Sequence, residues 1–199
     1  MTDKKIILAS ASPRRKELLE QVGIEFETIA SDIPEEPLHG ETPQEHVKRL
    51  SSEKALEVLN RLGDGPCFVI GSDTVVIIDN EILGKPNNDS HAAEMLRKLS
   101  GREHKVITGY CIASKSAGVE CLKAVETIVR FKPLDENEIA GYVASDEPSD
   151  KAGAYAIQGL GSFMVEEIRG SYSNVVGLPV CQIIDDLERL GAVKLFSHS

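Results

Sequence analysis

Along the chain, short apolar runs alternate with longer stretches in which apolar residues recur every three or four positions. Ile6 to Ala9 is an apolar strand that leads directly into a helix. Ser12 is suited to cap that helix, Pro13 to its first turn, and Leu18, Leu19 and Val22 supply an apolar face before Gly23 ends it. Phe26 to Ala30 predicts a second strand, and Ser31 to Glu41, with Pro34 and Pro37, a loop. Thr42, Pro43 and Glu45 form a T-x-x-E start signal for a helix that runs to about Leu62. Its stripe is Val47, Leu50, Val58 and Leu62. After Gly63-Asp64-Gly65-Pro66, Cys67 to Ile70 reads as a buried strand, and Val75 to Ile78 with Glu81 to Leu83 as a hairpin around Asp79-Asn80.

The second half continues the alternation. A helix starts at Asp89 or Ser90 and closes at Gly101. His104 to Ala113 and Val119 to Phe131 are extended and read as antiparallel neighbours. Asp135 and Glu138 repeat the capping pattern for a helix through Ala144. Ser145 to Ser162 is polar and glycine-rich, Phe163 to Ile168 alternates like a strand, and Gly170 to Gly177 reads as a loop. Pro179 opens a last helix with Ile183, Ile184, Leu187 and Leu190 on one side. Strand and helix in turn predict an α/β protein, with residues 1–199 forming a single domain.

Charge narrows the function classes. The formal net charge is -10, which argues against nucleic-acid or anionic-membrane partners, since both demand a broad basic face. A small anion needs only a local cluster of cations. Cys67, Cys111, Cys121 and Cys181 lack C-x-x-C spacing, which predicts reduced thiols and a cytoplasmic protein. No apolar run is long enough for a membrane span, and Ile6 to Ala9 is too short for the core of a signal peptide.

Four places break local rules. A helix N-terminus is a positive pole that favours acidic residues, yet Arg14, Arg15 and Lys16 occupy this first turn. With Ser10 they could form an anion site; the alternative is a solvated basic turn. Asp73 interrupts the apolar stretch Phe68 to Ile78, where a carboxylate needs a partner or a metal; the alternative is a turn built from Gly71-Ser72-Asp73. Lys54 falls inside the apolar stripe of its helix, either aimed into a polar site or snorkelling to water. On the first reading, Lys54→Met would not lower stability. Lys85, between Gly84 and Pro86, is a similar candidate on a rigid loop. The stretch from Asp146 to Ser162 combines Gly153, Gly159 and Gly161 with Gln158, as either a ligand loop or an ordinary flexible one. P-loop, G-x-G-x-x-G, H-E-x-x-H and G-x-S-x-G patterns are absent. The histidines, His39, His46, His91, His104 and His198, are scattered and read as solvent-facing.

In order along the chain, the motifs "LASASPRRKELL", "RLSSEKA", "GSDTVV", "GKP", "SDEPSDKAGAYAIQG" and "GSYSNVVGLP" resemble those of the Maf family of nucleoside triphosphate pyrophosphatases. The resemblance runs from Ile6 to about Leu190. It implies a mixed twisted sheet flanked by helices, like that of the inosine triphosphate pyrophosphatases, with two lobes around a central cleft. It also implies cleavage between the α- and β-phosphates with a divalent metal, Mg²⁺ or Mn²⁺, and a homodimer. Thr74 and the run from Asp150 to Tyr155 leading to Gln158 resemble the group acting on dTTP and UTP. The group acting on 7-methyl-GTP typically has glutamine where Thr74 stands. Tyr110 departs from the small aliphatic residue often found there.

By that resemblance, Ser10, Arg14 and Arg15 would hold the triphosphate, and Lys54 and Lys85 would add positive charge. Asp73 would bind the metal, activate water, or both, and Glu35 matches a carboxylate used at the metal site. Thr74 and Gln158 would read the base. A second reading is a non-catalytic nucleotide binder acting in septum formation or cell division. The occupied catalytic positions favour the enzyme.

Overall fold

Reciprocal side-chain caps start two helices where the sequence places them. In the computed structural model, which describes residues 4–65 and 67–196, Glu45 N donates to Thr42 Oγ1 (3.3 Å) and Thr42 N to Glu45 Oε2 (2.9 Å). Asp135 and Glu138 form the same box. The elements are β1 (Lys5–Leu8), α1 (Pro13–Gln21), β2 (Glu27–Thr28), α2 (Pro43–Arg61), β3 (Cys67–Ile78), β4 (Glu81–Leu83) and α3 (Asp89–Leu99). They continue with β5 (Glu103–Ser114), β6 (Gly118–Phe131), α4 (Glu136–Val143), β7 (Val165–Arg169), α5 (Tyr172–Val176) and α6 (Val180–Arg189). Short 3-10 turns cover Ala152–Ala154 and Gly159–Met164. The strands form a mixed sheet in the order β2-β1-β3-β5-β6-β7, with β4 paired to β3.

The chain divides into two compact units. The first comprises the chain up to Asp73, Thr108–Val125 and the chain from Gly177 onward. In it β1 runs parallel to both neighbours, with Leu8 opposite Thr28 on β2 and Ile70 on β3. The chain winds from β1 to one side, then crosses by way of α2 to the other. The carboxyl end of β1 and the part of β3 just past Ile70 therefore flank the point where the winding reverses, the place where open α/β sheets bind ligands. On one face of this unit α2 packs close against the strands. Ile7, Ala9, Val69, Cys111 and Ala113 pack with Ala55, Val58 and Leu59 of α2. A Cβ added at Gly71 would lie 2.1 Å from the Ser51 carbonyl oxygen, and one at Gly109 2.2 Å from that of Val47. Glycine at these two positions lets α2 lie directly on the strands. Toward α6, the fully buried Tyr110 donates to Asp186 Oδ2 (2.7 Å). Tyr110 is thus a packing residue, and burial pushes its hydroxyl above the usual tyrosine range, an effect the Asp186 carboxylate reinforces.

The second unit comprises Thr74–Ile107 and Glu126–Val176. Its hairpin pairs Val76 with Leu83 and turns through Asp79 and Asn80, whose φ values of 53° and 63° are the left-handed pair that a two-residue hairpin requires. β6 pairs antiparallel with β7, Ile128 opposite Arg169. Leu96, Leu99, Phe131, Ile139 and Met164 form the core. His104, Phe131 and Tyr155 stack edge-to-face there.

Several expected boundaries differ. β3 is one strand from Cys67 to Ile78, without a turn at Gly71-Ser72-Asp73. β2 has two residues, because only Ile7 and Leu8 of β1 are paired with it. Gly170 to Gly177 contains α5, and residues 159–164 coil before β7 begins. The histidine expectation needs correction: His46 and His104 are buried, while His39 is exposed and His91 partly so. His198 lies outside the described residues.

Candidate active site

β1 ends at Leu8, Ala9 N bonds Ile70 O (2.8 Å), and the chain turns at the buried Ser10 toward α1. Ser10 Oγ accepts from Ser12 N (3.2 Å). Ser12 is in the extended N-cap conformation, but its side chain makes no cap, and no acidic residue lies in the first turn. No carboxylate within the first turn therefore offsets the positive pole of α1.

Arg15 is not a solvated surface cation. Its Nε donates to Gly177 O (2.7 Å), and its Nη1 to Ser72 O (2.8 Å) and Ser10 Oγ (3.3 Å). The guanidinium ties the chain leaving β1 at Ser10 to the middle of β3 at Ser72, just past the residues paired with β1. Burial lowers its pKa below the usual arginine value, opposed by the Asp73 and Glu35 carboxylates. Arg14 precedes it on the same first turn, partly buried. Ser72 is fully buried, and its hydroxyl donates toward Gly109 O and Gly177 O, both at 3.0 Å.

Gly71 and Asp73, two residues apart, project from the same face of β3, the face against α2. The close approach at Gly71 brings Lys54 Nζ to 2.7 Å from Asp73 Oδ1. Lys54 Nζ also lies 2.6 Å from Glu35 Oε1. The Lys54 side chain is 7% exposed and that of Asp73 10%, whereas that of Glu35 is 48% exposed. The lysine therefore does not snorkel. It is buried between two carboxylates, one from β3 and one from the loop before α2. The Glu35 and Asp73 carboxylates are also oxygen donors of the kind that would suit Mg²⁺ or Mn²⁺. No group of three or more His, Cys, Asp or Glu among the described residues could hold a metal.

The remaining candidates belong to the second unit. Thr74 is partly buried on β3, and Lys85 is exposed just after β4. Its neighbour Gly84 accepts from Gly153 N (3.0 Å). Gln158 is partly buried at the start of the second 3-10 turn. Its loop is pinned: Glu147 accepts from Leu160 N and Gly161 N (each 3.0 Å) and from the Tyr142 hydroxyl (2.9 Å). Burial opposes ionisation of Glu147, but these donors outweigh it and hold its carboxyl below the usual range.

The sequence reading passed over a network on α2. Glu41 accepts from Arg49 Nε (2.7 Å) and Nη2 (2.9 Å) and from Leu38 N (3.2 Å), and its Oε2 lies 3.0 Å from His46 Nδ1. The Arg49 fork holds the Glu41 carboxyl down at about 2. The usable signal was the spacing of Glu41, His46 and Arg49 on either side of a capped helix start.

A sequence profile described as Maf-like protein matches residues 5–190. The chain belongs to the Maf family. Among Maf relatives, a protein of Syntrophotalea carbinolica named dTTP/UTP pyrophosphatase is 55% identical over 98% of this chain and 89% of its own length. One of Geobacter sulfurreducens with the same name is 53% identical over 97% of this chain and 100% of its own. One of Clostridioides difficile, again so named, is 48% identical over 96% and 97%.

Proposed function

We propose that this protein is a nucleoside triphosphate pyrophosphatase that converts dTTP and UTP to the monophosphate and pyrophosphate. The observation that carries this reading is the buried Lys54 between Glu35 and Asp73, with the Arg15 fork, on which both carboxylates act, where β1 ends alongside β3. The names of its relatives supply the substrates.

The start of α1, with Ser10, Arg14 and Arg15, receives the triphosphate. Water attacks the α-phosphorus, Asp73 accepts its proton, the bond to the bridging oxygen breaks, and pyrophosphate leaves. Lys54 and Lys85 offset the negative charge that develops. Thr74 and Gln158 read the base edge, Gln158 offering both donor and acceptor. Asp73 and Glu35 would hold a divalent cation, which when bound neutralises phosphate charge and favours ionisation of water.

Incubation with dTTP and Mg²⁺ should release pyrophosphate rather than orthophosphate. Asp73→Asn should keep the fold and lose on the order of 10²–10⁴-fold in turnover. A metal-replete Asp73→Asn protein with wild-type turnover would reject the assignment, as would binding of dTTP without hydrolysis by the wild type.

A further inference from the structure

Glu35 reaches Lys54 from a loop that has no regular structure between β2 and α2 and contains Pro34 and Pro37. Its carboxylate is half exposed, so packing around the side chain does not fix where it points. Its ion pair with Lys54 needs the loop backbone beside it to be in place. Arg49 Nη2 donates to the carbonyl oxygen of the next residue, Glu36 (3.1 Å). The same guanidinium grips both oxygens of Glu41, at the far end of the loop, through Nε and Nη2. Glu41 in turn accepts from Leu38 N. One partly buried arginine on the rigid α2 thus holds the loop on either side of Pro37, and Lys54 stands on the same helix five residues on.

We propose that Arg49 is a positioning residue: by holding the Glu36 carbonyl and Glu41 against α2, it sets the Glu35 carboxylate on Lys54 for the hydrolytic step. The inference rests on the role given to Glu35 in the proposed function. Arg49 itself contacts Glu36 O, Glu41, Glu53 and His46, none of which has a role in the proposed chemistry. Lysine would be a poor substitute, since one ammonium lacks the planar fork that engages a carboxylate and a carbonyl together.

Two measurements test it. In the nucleotide-free protein, Arg49→Met should speed amide exchange at Leu38 by roughly tenfold or more, while the Leu50–Leu59 amides of α2 keep their protection. In turnover, Arg49→Met should lower kcat for dTTP by roughly ten- to a hundredfold with KM nearly unchanged. The same substitution in a Glu35→Gln background should lower it no further, because the effect is transmitted through Glu35. Equal fold-losses in both backgrounds, or unaltered exchange at Leu38, would overturn the proposal. Should Arg49→Met not fold, Glu41→Gln, which removes one anchor of the fork, carries the same expectations and the same refutations. A wild-type protein that releases no pyrophosphate would reject the hydrolase reading instead, and amide exchange would still decide the tether.

Discussion

Lys54 shows how a single side chain reverses an expectation once its neighbours are known. Its place within an apolar stripe was legible at helical spacing. Its partners were not, because Glu35 and Asp73 come from a loop and a strand on either side of its helix in sequence. An ammonium without partners would gain from replacement by methionine; here replacement strands the buried Asp73 carboxylate. Breaking a buried pair from one side costs about 3–5 kcal/mol, whereas removing both charges can be nearly neutral. Lys54→Met should therefore melt well below wild type, and Lys54→Met with Asp73→Asn should recover much of the loss. A single mutant as stable as wild type would contradict the buried geometry. Arg15 carries the same lesson. Its charge at the wrong end of a helix was visible, but the acceptors it serves at Ser72 and Gly177 are distant in sequence.

Among elements, helices were the more legible, because their signals are local. The two capping boxes act within four residues, and both are formed. For β3 the sequence leaves open an extended stretch or a turn at Gly71-Ser72-Asp73, since Gly-Ser-Asp is ordinary turn chemistry. Pairing to β1 and burial on both faces hold it extended instead, and the glycine serves the approach of α2. Gly71→Ala should consequently cost about 3 kcal/mol or more, as its methyl would meet a backbone oxygen that cannot rotate away. Gly141→Ala is the matched comparison. It lies within α4 with nothing within 4 Å of the added Cβ, and should gain roughly 0.5–1 kcal/mol from helix propensity. Urea unfolding of the two variants gives opposite shifts if the packing is as described.

For the whole molecule, the α/β alternation and the acidic balance were legible from the sequence, while the burial of His46 and His104 was not. His104 is buried, its Nε2 lies 2.7 Å from the Tyr155 hydroxyl, and its Nδ1 has no hydrogen-bond partner among the described residues. Burial lowers its pKa to about 4. The unfolded chain therefore binds a proton that the folded one refuses between pH 6.5 and about 4, and stability falls as pH drops through that window. Glu41, held down at about 2, contributes stability above its ordinary value near 4.5 that is lost as pH falls toward 2. Acid destabilisation should thus come in two stages. Urea midpoints at pH 7, 5.5 and 4 should decline in the wild type and stay flatter over that range in His104→Phe. Parallel declines in both proteins would assign the upper stage to other groups.

The hydrogen bonds of Arg15 have one further consequence, in entropy. A free arginine side chain surrenders roughly 2 kcal/mol of rotamer freedom when a ligand immobilises it. Here that loss is incurred when the chain folds, because Gly177 O, Ser72 O and Ser10 Oγ already hold the guanidinium in place. An anion arriving at the start of α1 meets a cation with little freedom left to lose. More of the electrostatic attraction then remains as binding free energy, because contacts made within the folded chain have removed the disorder in advance.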